Sequence, residues 1–271
     1  MIERGVTERP VARLSAAGAL REGDAVAVEE PLEIRLAGDA LAVTMRSPGE
    51  DRFLAVGFLF AEGLIGSLAD VGSVAHCGRP GDEGFGNAID VLPGPGVTFD
   101  TSRLEGTRRG TLTTASCGVC GRRSIDDLLA RVGVVDRDVV VPFEVIASSP
   151  ARLAEGQHRF AHTGGVHAAA LQRADGVVLA CAEDVGRHNA VDKVVGRMLY
   201  DGIDDAAILS VSGRVSFEIV QKAAAADVPI VTAVSAPTSL AIDLADRAGI
   251  TLAAFVRDGR ANVYTHPARI G

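Results

Sequence analysis

The sequence predicts an α/β protein in which a small α+β domain precedes a larger α/β domain. In the segment LEIRLAGDALAVTM (32–45), apolar and polar residues alternate on both sides of Gly38-Asp39, as in a β-hairpin. From about residue 167, apolar runs alternate with helical patterns, which is typical of a sheet covered by helices on both faces. The chain of 271 residues is 47% hydrophobic and 23% charged, so it can bury a real core.

The small domain is predicted to span residues 25–106, after an N-terminal arm at 1–24 that has no clear hydrophobic period. After the hairpin, EDRFLAVGFLFAEGLIG predicts a buried helix, with acidic residues in its first turn and glycines near its end. Short strands separated by Gly- and Pro-rich turns are predicted at SVAH (73–76), NAIDVL (87–92) and VTFD (97–100).

Residues 107–149 are predicted to hold a polar loop and a helix that begins at Ser124 and ends near Gly133. Residues 150–271 are predicted to form the larger domain, which opens with a strand pair over 167–184. The other predicted elements are helices at 187–199, 215–226 and 238–248, and strands at 206–212, 228–235, 250–257 and 261–266. We expect the sheet to be largely parallel.

Composition and charge exclude several classes of function. The net charge of −8 argues against duplex nucleic acid, and 4% aromatic residues with no Trp argue against a base-stacking surface. The most apolar run, residues 53–66, is interrupted by Glu62 and is too short to span a bilayer. The N-terminus lacks the apolar core of a secretory signal, so we expect a cytoplasmic protein without membrane or nucleic-acid partners.

The pair Cys117 and Cys120 in SCGVCG fits three chemistries. A structural zinc site needs four ligands, and the other two cysteines, Cys77 and Cys181, are isolated, although His76 precedes Cys77. Dithiol–disulfide exchange of the thioredoxin type needs the pair at a helix N-terminus inside a βαβ unit, which this polar loop does not resemble. A sulfur carrier needs a thiolate in a mobile segment.

The charges around the pair favour the sulfur carrier modestly. No acidic residue occurs from Gly106 to Ile125. Four arginines bracket the cysteines in this stretch: Arg108, Arg109, Arg122 and Arg123. Nearby cations lower the pKa of a thiol from about 8.5 toward neutrality, but an exposed arginine loop is often only solvated, so the three readings stay open.

The predicted strand ends of the larger domain are polar and basic, as in a site for phosphate or pyrophosphate. Arg187 and His188 follow one strand, Ser212 and Arg214 the next, and Arg257 and Arg260 the last. No Gly-Lys pair and no GxGxxG after a strand occurs, so the familiar phosphate loops are absent. Each small or hydroxylated residue at these turns is also an ordinary helix cap.

Segments along nearly the whole chain resemble the FdhD family of sulfur-carrier accessory proteins, which are required for formate dehydrogenase activity. The matching segments are GFLFAEGLI (57–65), SCGVCG (116–121), TGGVHAAAL (163–171), EDVGRHNAVDKVVG (183–196), SGRVSFEIVQKA (212–223), SAPTSLAIDLA (235–245) and GRANVYTHP (259–267). The combination of EDVGRHNAVDK with CGVCG is highly specific.

This resemblance implies a function and a set of site residues. Cys117 would take persulfide sulfur from a cysteine desulfurase, with Cys120 assisting, and pass it to the molybdenum cofactor in its bis(molybdopterin guanine dinucleotide) form. The sulfurated cofactor would then enter the formate dehydrogenase apo-enzyme. The resemblance places cofactor contacts on Phe255, Val256, Arg257, Asp258, Gly259 and Arg260. It also implies a homodimer, a cytidine-deaminase-like three-layer α/β larger domain without the zinc residues, and GDP as a partial mimic of the cofactor.

Some residues keep two readings. Cys181 lies among apolar residues and is predicted to be core. His167 and His188 are either ligand contacts or structural histidines. Polar residues of the EDVGRHNAVDK segment are expected to form an internal charge network: Glu183, Asp184, Asp192 and Lys193. The rival functions are a cofactor-binding chaperone that transfers no sulfur and a zinc-stabilised binding protein.

Overall fold

Twelve strands and six helices occur in residues 5–82, 84–99 and 132–271, the parts of the chain that the computed structural model describes. Their strands form sheets of two, four and six strands. Both cysteines of the CxxC pair, its four arginines and nearly all of the helix predicted at 124–133 lie outside these ranges. The predicted domain boundaries stay predictions.

The two-stranded sheet is an N-terminal hairpin of β1 (Val6–Ser15) and β2 (Gly18–Ala27). Its outer half is exposed, and near its tip Leu14 and Leu20 are 80% and 62% exposed. The sequence predicts an arm here but no hairpin. A two-stranded ribbon with water on both faces has no buried side. Its sequence therefore lacks the alternation of apolar and polar residues that identifies a half-buried strand.

The four-stranded sheet contains β3 (Glu30–Leu36), β4 (Asp39–Arg46), β5 (Val71–His76) and β6 (Ala88–Pro93) in the order β4-β3-β6-β5. Helix α1 (Asp51–Ala61) covers it with a shared core that includes Leu32, Ile34, Leu54, Leu59 and Ile89. The predicted hairpin, helix and first two short strands are confirmed. The strand predicted at 97–100 is wrong in its described residues, 97–99, because Val97 N–H turns back to donate to Gly94 C=O.

The six-stranded sheet contains the remaining strands in the order β12-β11-β10-β9-β7-β8. They are β7 (His167–Gln172), β8 (Val178–Asp184), β9 (Ile208–Val211), β10 (Ile230–Ala233), β11 (Thr251–Arg257) and β12 (Arg260–Thr265). Only β9-β10 and β10-β11 pair in parallel, so the expectation of a largely parallel sheet is wrong. Tight turns join β7 to β8 and β11 to β12, and only antiparallel strands can be joined by such turns.

Helices cover both faces of this sheet. Helices α4 (Arg187–Asp201), α5 (Phe217–Ala225) and α6 (Ser239–Arg247) pack on one face and confirm the predicted helices. On the other face lies α2 (Phe143–Glu155), which is followed by the short α3 (His158–Thr163). All four residues of β9 are buried, as expected for a strand covered on both sides. The likeness to cytidine deaminases stays a prediction.

Helices α1 and α4 cross at backbone contact and join the two larger sheets. A Cβ atom on Gly57 would lie 1.9 Å from the Asp192 carbonyl oxygen, and one on Gly196 would lie 2.0 Å from the Phe53 carbonyl oxygen. Any other residue at either position would force the helices apart. Within the described residues, no helix is long and apolar enough to cross a membrane.

Candidate ligand site at one edge of the six-stranded sheet

The carboxyl ends of four strands meet at one edge of the six-stranded sheet. Strands β9, β10 and β11 are parallel neighbours, and β8 runs in the same direction because β7 is antiparallel to both β8 and β9. This edge therefore collects the polar segments predicted at the strand ends: 183–189, 212–216, 235–239 and 255–260. Ligands of open α/β sheets bind at such an edge.

His167 and Arg187 lie side by side at this edge, across Gly213. A Cβ atom built on Gly213 would lie 3.3 Å from Nδ1 of His167 and 3.5 Å from Cδ of Arg187. Burial lowers the pKa of His167, and repulsion from Arg187, His188 and Arg214 lowers it further, while Asp184 opposes the shift. The imidazole of His167 is therefore neutral at pH 7 inside a cationic cluster.

Arg187 is the first residue of α4, and its environment suits an anion. Its Nε atom is buried and has no hydrogen-bond partner among the described residues. Buried donors are nearly always paired in native proteins, so this one is a place for an acceptor from a ligand or water. The first N–H groups of a helix also have no partner within the helix and favour anions. Arg214, in the loop between β9 and α5, is exposed.

His188 and Ser212 have structural partners in the fold. The buried His188 places Nε2 2.9 Å from Ser216 Oγ and 2.9 Å from Glu218 Oε2, which ties α4 to the start of α5. Ser212 Oγ accepts a hydrogen bond from Ala168 N–H at 2.9 Å, which ties the end of β9 to β7. Direct ligand contact by either side chain stays a prediction, since the hydroxyl of Ser212 can still donate.

The segment 255–260 turns sharply at the same edge. Phe255 and Asp258 have left-handed backbones, with φ of 53° and 51°, and the ladder of β11 and β12 is irregular between Ala254 and Arg257. Non-glycine residues held in this region cluster at functional sites. Val256 is buried in the core on the α2 face, so only its backbone faces the edge. Four predicted contact residues are exposed: Arg257, Asp258, Gly259 and Arg260.

Beneath the edge, the predicted internal charge network is confirmed for Asp184 and Lys193, whereas the side chains of Glu183 and Asp192 bind partners outside the predicted set. Nζ of Lys193 lies 2.7 Å from Oδ2 of Asp184, and both side chains are fully buried. Asp184 also accepts hydrogen bonds from the backbone N–H groups of Ser47 and Gly186. The carboxylate of Glu183 accepts from two N–H groups in the first turn of α3. Much of EDVGRHNAVDK therefore holds the fold and presents Arg187.

A second buried ion pair links α4 to α5. Nζ of Lys222 lies 2.6 Å from Oδ1 of Asp192, and both side chains are buried. Burial raises the pKa of Asp192 to about 6, since the attraction of Lys222 only partly offsets the loss of water. This pair packs against α1 and not at the ligand edge, so its role is to hold α4 and α5 in place.

Cys181 packs against the apolar cluster of Leu153, Ala168 and Ala170, as predicted for a core cysteine. Burial raises the pKa of its thiol to about 11, and the nearby Glu183 contributes to the shift. At neutral pH the thiol is therefore protonated and a poor sulfur acceptor. Among the described residues, no three His, Cys, Asp or Glu side chains come together as a metal site. That observation does not include Cys117 and Cys120.

Sequence reasoning missed or left open three residues of this edge. His167 was undecided, and only the pairing of β7 with β9 brings it beside Arg187. Gly213 lies inside the matching segment SGRVSFEIVQKA but was not singled out, although a glycine so soon after a buried strand signals a close approach. Ser47 was missed, since its hydrogen bonds to Asp184, Val185 and Lys193 join residues far apart in the chain.

Comparison with known proteins identifies the family. A model of the FdhD/NarQ family matches residues 27–271. The chain belongs to the FdhD/NarQ family. This result confirms the resemblance carried by CGVCG and EDVGRHNAVDK.

Individual relatives match over nearly their whole length. The chain is 54% identical over 274 residues to the sulfur carrier protein FdhD of Anaeromyxobacter dehalogenans (strain 2CP-C), covering 98% of this chain and 94% of the relative. It is 46% identical to the sulfur carrier protein FdhD of Nocardia farcinica, with 100% and 96% covered. It shares its mixed α/β fold with the crystal structure of a candidate formate dehydrogenase accessory protein from Desulfotalea psychrophila. That likeness has a TM-score of 0.76 at 26% identity and covers 98% and 99% of the two chains.

Proposed function

We propose that this protein is a sulfur carrier in the maturation of formate dehydrogenase. The observation that carries the proposal is 54% identity over 98% of the chain to a relative named as a sulfur carrier protein. The similar fold of a candidate formate dehydrogenase accessory protein supports the destination of the sulfur. The cationic edge around Arg187 supports an anionic cargo.

Sulfur enters on Cys117 in this proposal. The Cys117 thiolate attacks the terminal sulfur of a persulfide on a cysteine desulfurase, so a new S–S bond forms as the donor's S–S bond breaks. The donor cysteine leaves as a thiolate, and no net oxidation or reduction occurs. The four arginines that flank the pair in the sequence favour the thiolate.

Sulfur leaves toward the molybdenum cofactor, which is the substrate here. Its guanine dinucleotide phosphates bind at the sheet edge, with Arg187, Arg214, Arg257 and Arg260 as phosphate partners. Attack by the Cys120 thiolate on the inner sulfur of the Cys117 persulfide releases hydrosulfide for molybdenum. That step leaves a Cys117–Cys120 disulfide, which a cellular thiol then reduces. GDP is the matching soluble probe for the phosphate site.

The domains divide these tasks in the proposal. Residues 107–149 carry the delivery cysteines, and residues 150–271 form a cytidine-deaminase-like domain that holds the cofactor. Residues 25–106 form the small domain, and residues 1–24 form the arm. The protein acts in the cytoplasm as a homodimer that meets the desulfurase and the formate dehydrogenase apo-enzyme.

Intact-mass measurement after incubation with a cysteine desulfurase and cysteine tests the carrier function. Wild type should gain the mass of one sulfur that a reductant removes, and Cys117→Ala should gain none. Cys181→Ala is the matched control and should load normally, because the protonated Cys181 thiol takes no part.

The rival functions predict different results from the same samples. A chaperone that transfers no sulfur would gain no mass, and both Cys117 and Cys120 could be replaced without loss of formate dehydrogenase maturation. A zinc-stabilised binding protein would contain stoichiometric zinc that is lost in the cysteine variants. Either result would overturn the carrier proposal.

A further inference from the structure

His167 occupies the centre of the cationic edge without a charge of its own. It is the first residue of β7, and its Nδ1 faces the small space over Gly213 that it shares with the side chain of Arg187. A Cβ atom there would crowd the His167 imidazole, which would have to move by a few tenths of an ångström, and would be in ordinary van der Waals contact with Arg187. The space therefore keeps an imidazole beside a guanidinium at the position where phosphate oxygens would approach.

The groups that face His167 are known on each side. Arg187 and His188 face it from α4, Arg214 from the loop after β9, and Asp184 from the end of β8. The carboxylate of Asp184 is committed elsewhere, since it bonds Lys193, Asn189 and two backbone N–H groups. Burial is the largest cause of the lowered pKa of His167, and the positive balance of charge around the imidazole lowers that pKa further, so the ring is neutral at pH 7.

An anion at this place would reverse that balance. The buried Arg187 Nε has no partner within the described chain, so a phosphate oxygen would satisfy it. Two negative charges on a diphosphate would offset the repulsion from Arg187 and Arg214. The imidazolium form of His167 would then be favoured, because an opposite charge nearby stabilises the charged form of a group.

We propose that His167 is a proton-linked part of the phosphate site, which takes up one proton when a nucleoside diphosphate binds. The proposal rests on the proposed function, since it assigns the guanine dinucleotide phosphates to this edge. Proton uptake makes affinity rise as the pH falls, by at most about tenfold per pH unit for one proton. His167 thereby distinguishes an occupied site from an empty one through its charge.

Calorimetric titration with GDP between pH 6 and 8 tests this inference, in buffers with different ionisation enthalpies. The dependence of the observed heat on the buffer gives the number of protons taken up. The matched variants are His167→Gln, which keeps a hydrogen-bonding side chain that does not titrate, and His162→Gln. His162 is exposed, and among the described residues its hydrogen bond is with the His158 carbonyl of its own helix, so it serves as the control.

The expected result is a proton uptake in wild type that exceeds that of His167→Gln by up to one proton, with His162→Gln behaving like wild type. The β-phosphate of GDP also titrates in this range and is coupled to any group beside it, so the NMR titration described next assigns the proton to the imidazole. Equal uptake in wild type and His167→Gln would overturn the inference alone. If wild type does not bind GDP at any pH, the assignment of the phosphates to this edge fails together with the inference.

A second measurement follows His167 directly in the wild-type protein and uses variants only to assign its NMR signal. The C2 proton of His167 can be followed by NMR through a pH titration of wild type, with and without GDP, after assignment through His167→Gln or His167→Asn. GDP should move the midpoint of the His167 titration to higher pH and leave that of His162 unchanged. An unchanged midpoint for His167 at saturating GDP would contradict the proposal.

Discussion

Lys193 has no exposed surface, and its ammonium is held by the Asp184 carboxylate and by the carbonyl oxygens of Ser47 and Glu183. Transfer of an ammonium from water to a buried site is costly unless such partners surround it. The same carboxylate receives the N–H of Gly186, the residue just before α4. One buried ion pair therefore fixes the place from which Arg187 projects.

Replacement of Lys193 by Met should destabilise the protein by about 3–5 kcal/mol, because it leaves the Asp184 carboxylate buried without its cation. Urea unfolding of the purified protein measures the change. Arg173→Met is the matched control. Arg173 and Asp175 form an ion pair whose side chains are 43% and 54% exposed, and loss of such an exposed pair should leave the stability nearly unchanged. Equal losses in the two variants would contradict the structural role of Lys193.

At the scale of elements, the crossing of α1 and α4 depends on glycines that are part of the family-specific segments. Gly57 lies in GFLFAEGLI, and Gly196 ends EDVGRHNAVDKVVG. Each lets one helix backbone touch the other. These segments are therefore diagnostic partly because they specify a helix contact, and partly because they present the ligand edge.

Gly196→Ala should cost about 3 kcal/mol of stability, at the upper end for overpacking, because its Cβ would meet the rigid backbone of Phe53. Thermal and urea unfolding both measure this loss. Gly133→Ala is the control, since a Cβ atom there would meet no atom of the described residues within 4 Å. Its effect should stay within about 0.5 kcal/mol. A tolerant Gly196→Ala would mean that the two helices can separate freely.

The sequence analysis did not predict α2 or α3, and α2 shows why. The segment FEVIASSPARLAE, which forms α2, contains Ser-Ser-Pro, normally a turn signal, with Pro150 inside the helix. Its buried face has only three residues, Ile146, Ser149 and Leu153. Ser149 Oγ lies 2.8 Å from Thr232 Oγ1 in β10, so packing on the sheet stabilises a helix that local preference does not predict.

At the scale of the whole molecule, the end of β4 and the residue Ser47 after it are hydrogen-bonded to α4 and to the end of β8. Asn189 of α4 donates to the Met45 carbonyl at 2.8 Å and lies 3.1 Å from Thr44 Oγ1. Ser47 exchanges hydrogen bonds with Asp184 and Val185. Together with the α1–α4 crossing, these contacts join the four-stranded sheet to α4 and β8, the two elements that position Arg187 and Asp184 at the ligand edge.

The four-stranded and six-stranded sheets should therefore unfold together. Hydrogen exchange measured by mass spectrometry should give the amides of β3 and those of β9 the same limiting free energy of opening. Asn189→Ala should separate them, with β3 opening at lower free energy, because it removes the bonds to Met45 and Thr44. Thr163→Ala is the control, because it removes two short-range bonds: the one that Thr163 Oγ1 donates to the Arg159 carbonyl and the one that it accepts from Gly165 N–H. Different limits already in wild type would show that the sheets open independently.

The sequence by itself determined the order of most elements, the CxxC pair with its basic flanks, the polar strand ends and the family. Those features can be recognised from local periodicity, which reflects burial, and from turn residues and short motifs, which reflect local backbone conformation. Only the tertiary structure decided that the six-stranded sheet is mixed and that Asp184 and Lys193 bind Ser47, which follows β4. It also decided that His167 meets Arg187 across Gly213. These outcomes depend on contacts between residues distant in the chain, which sheet pairing and helix packing create and no local pattern encodes.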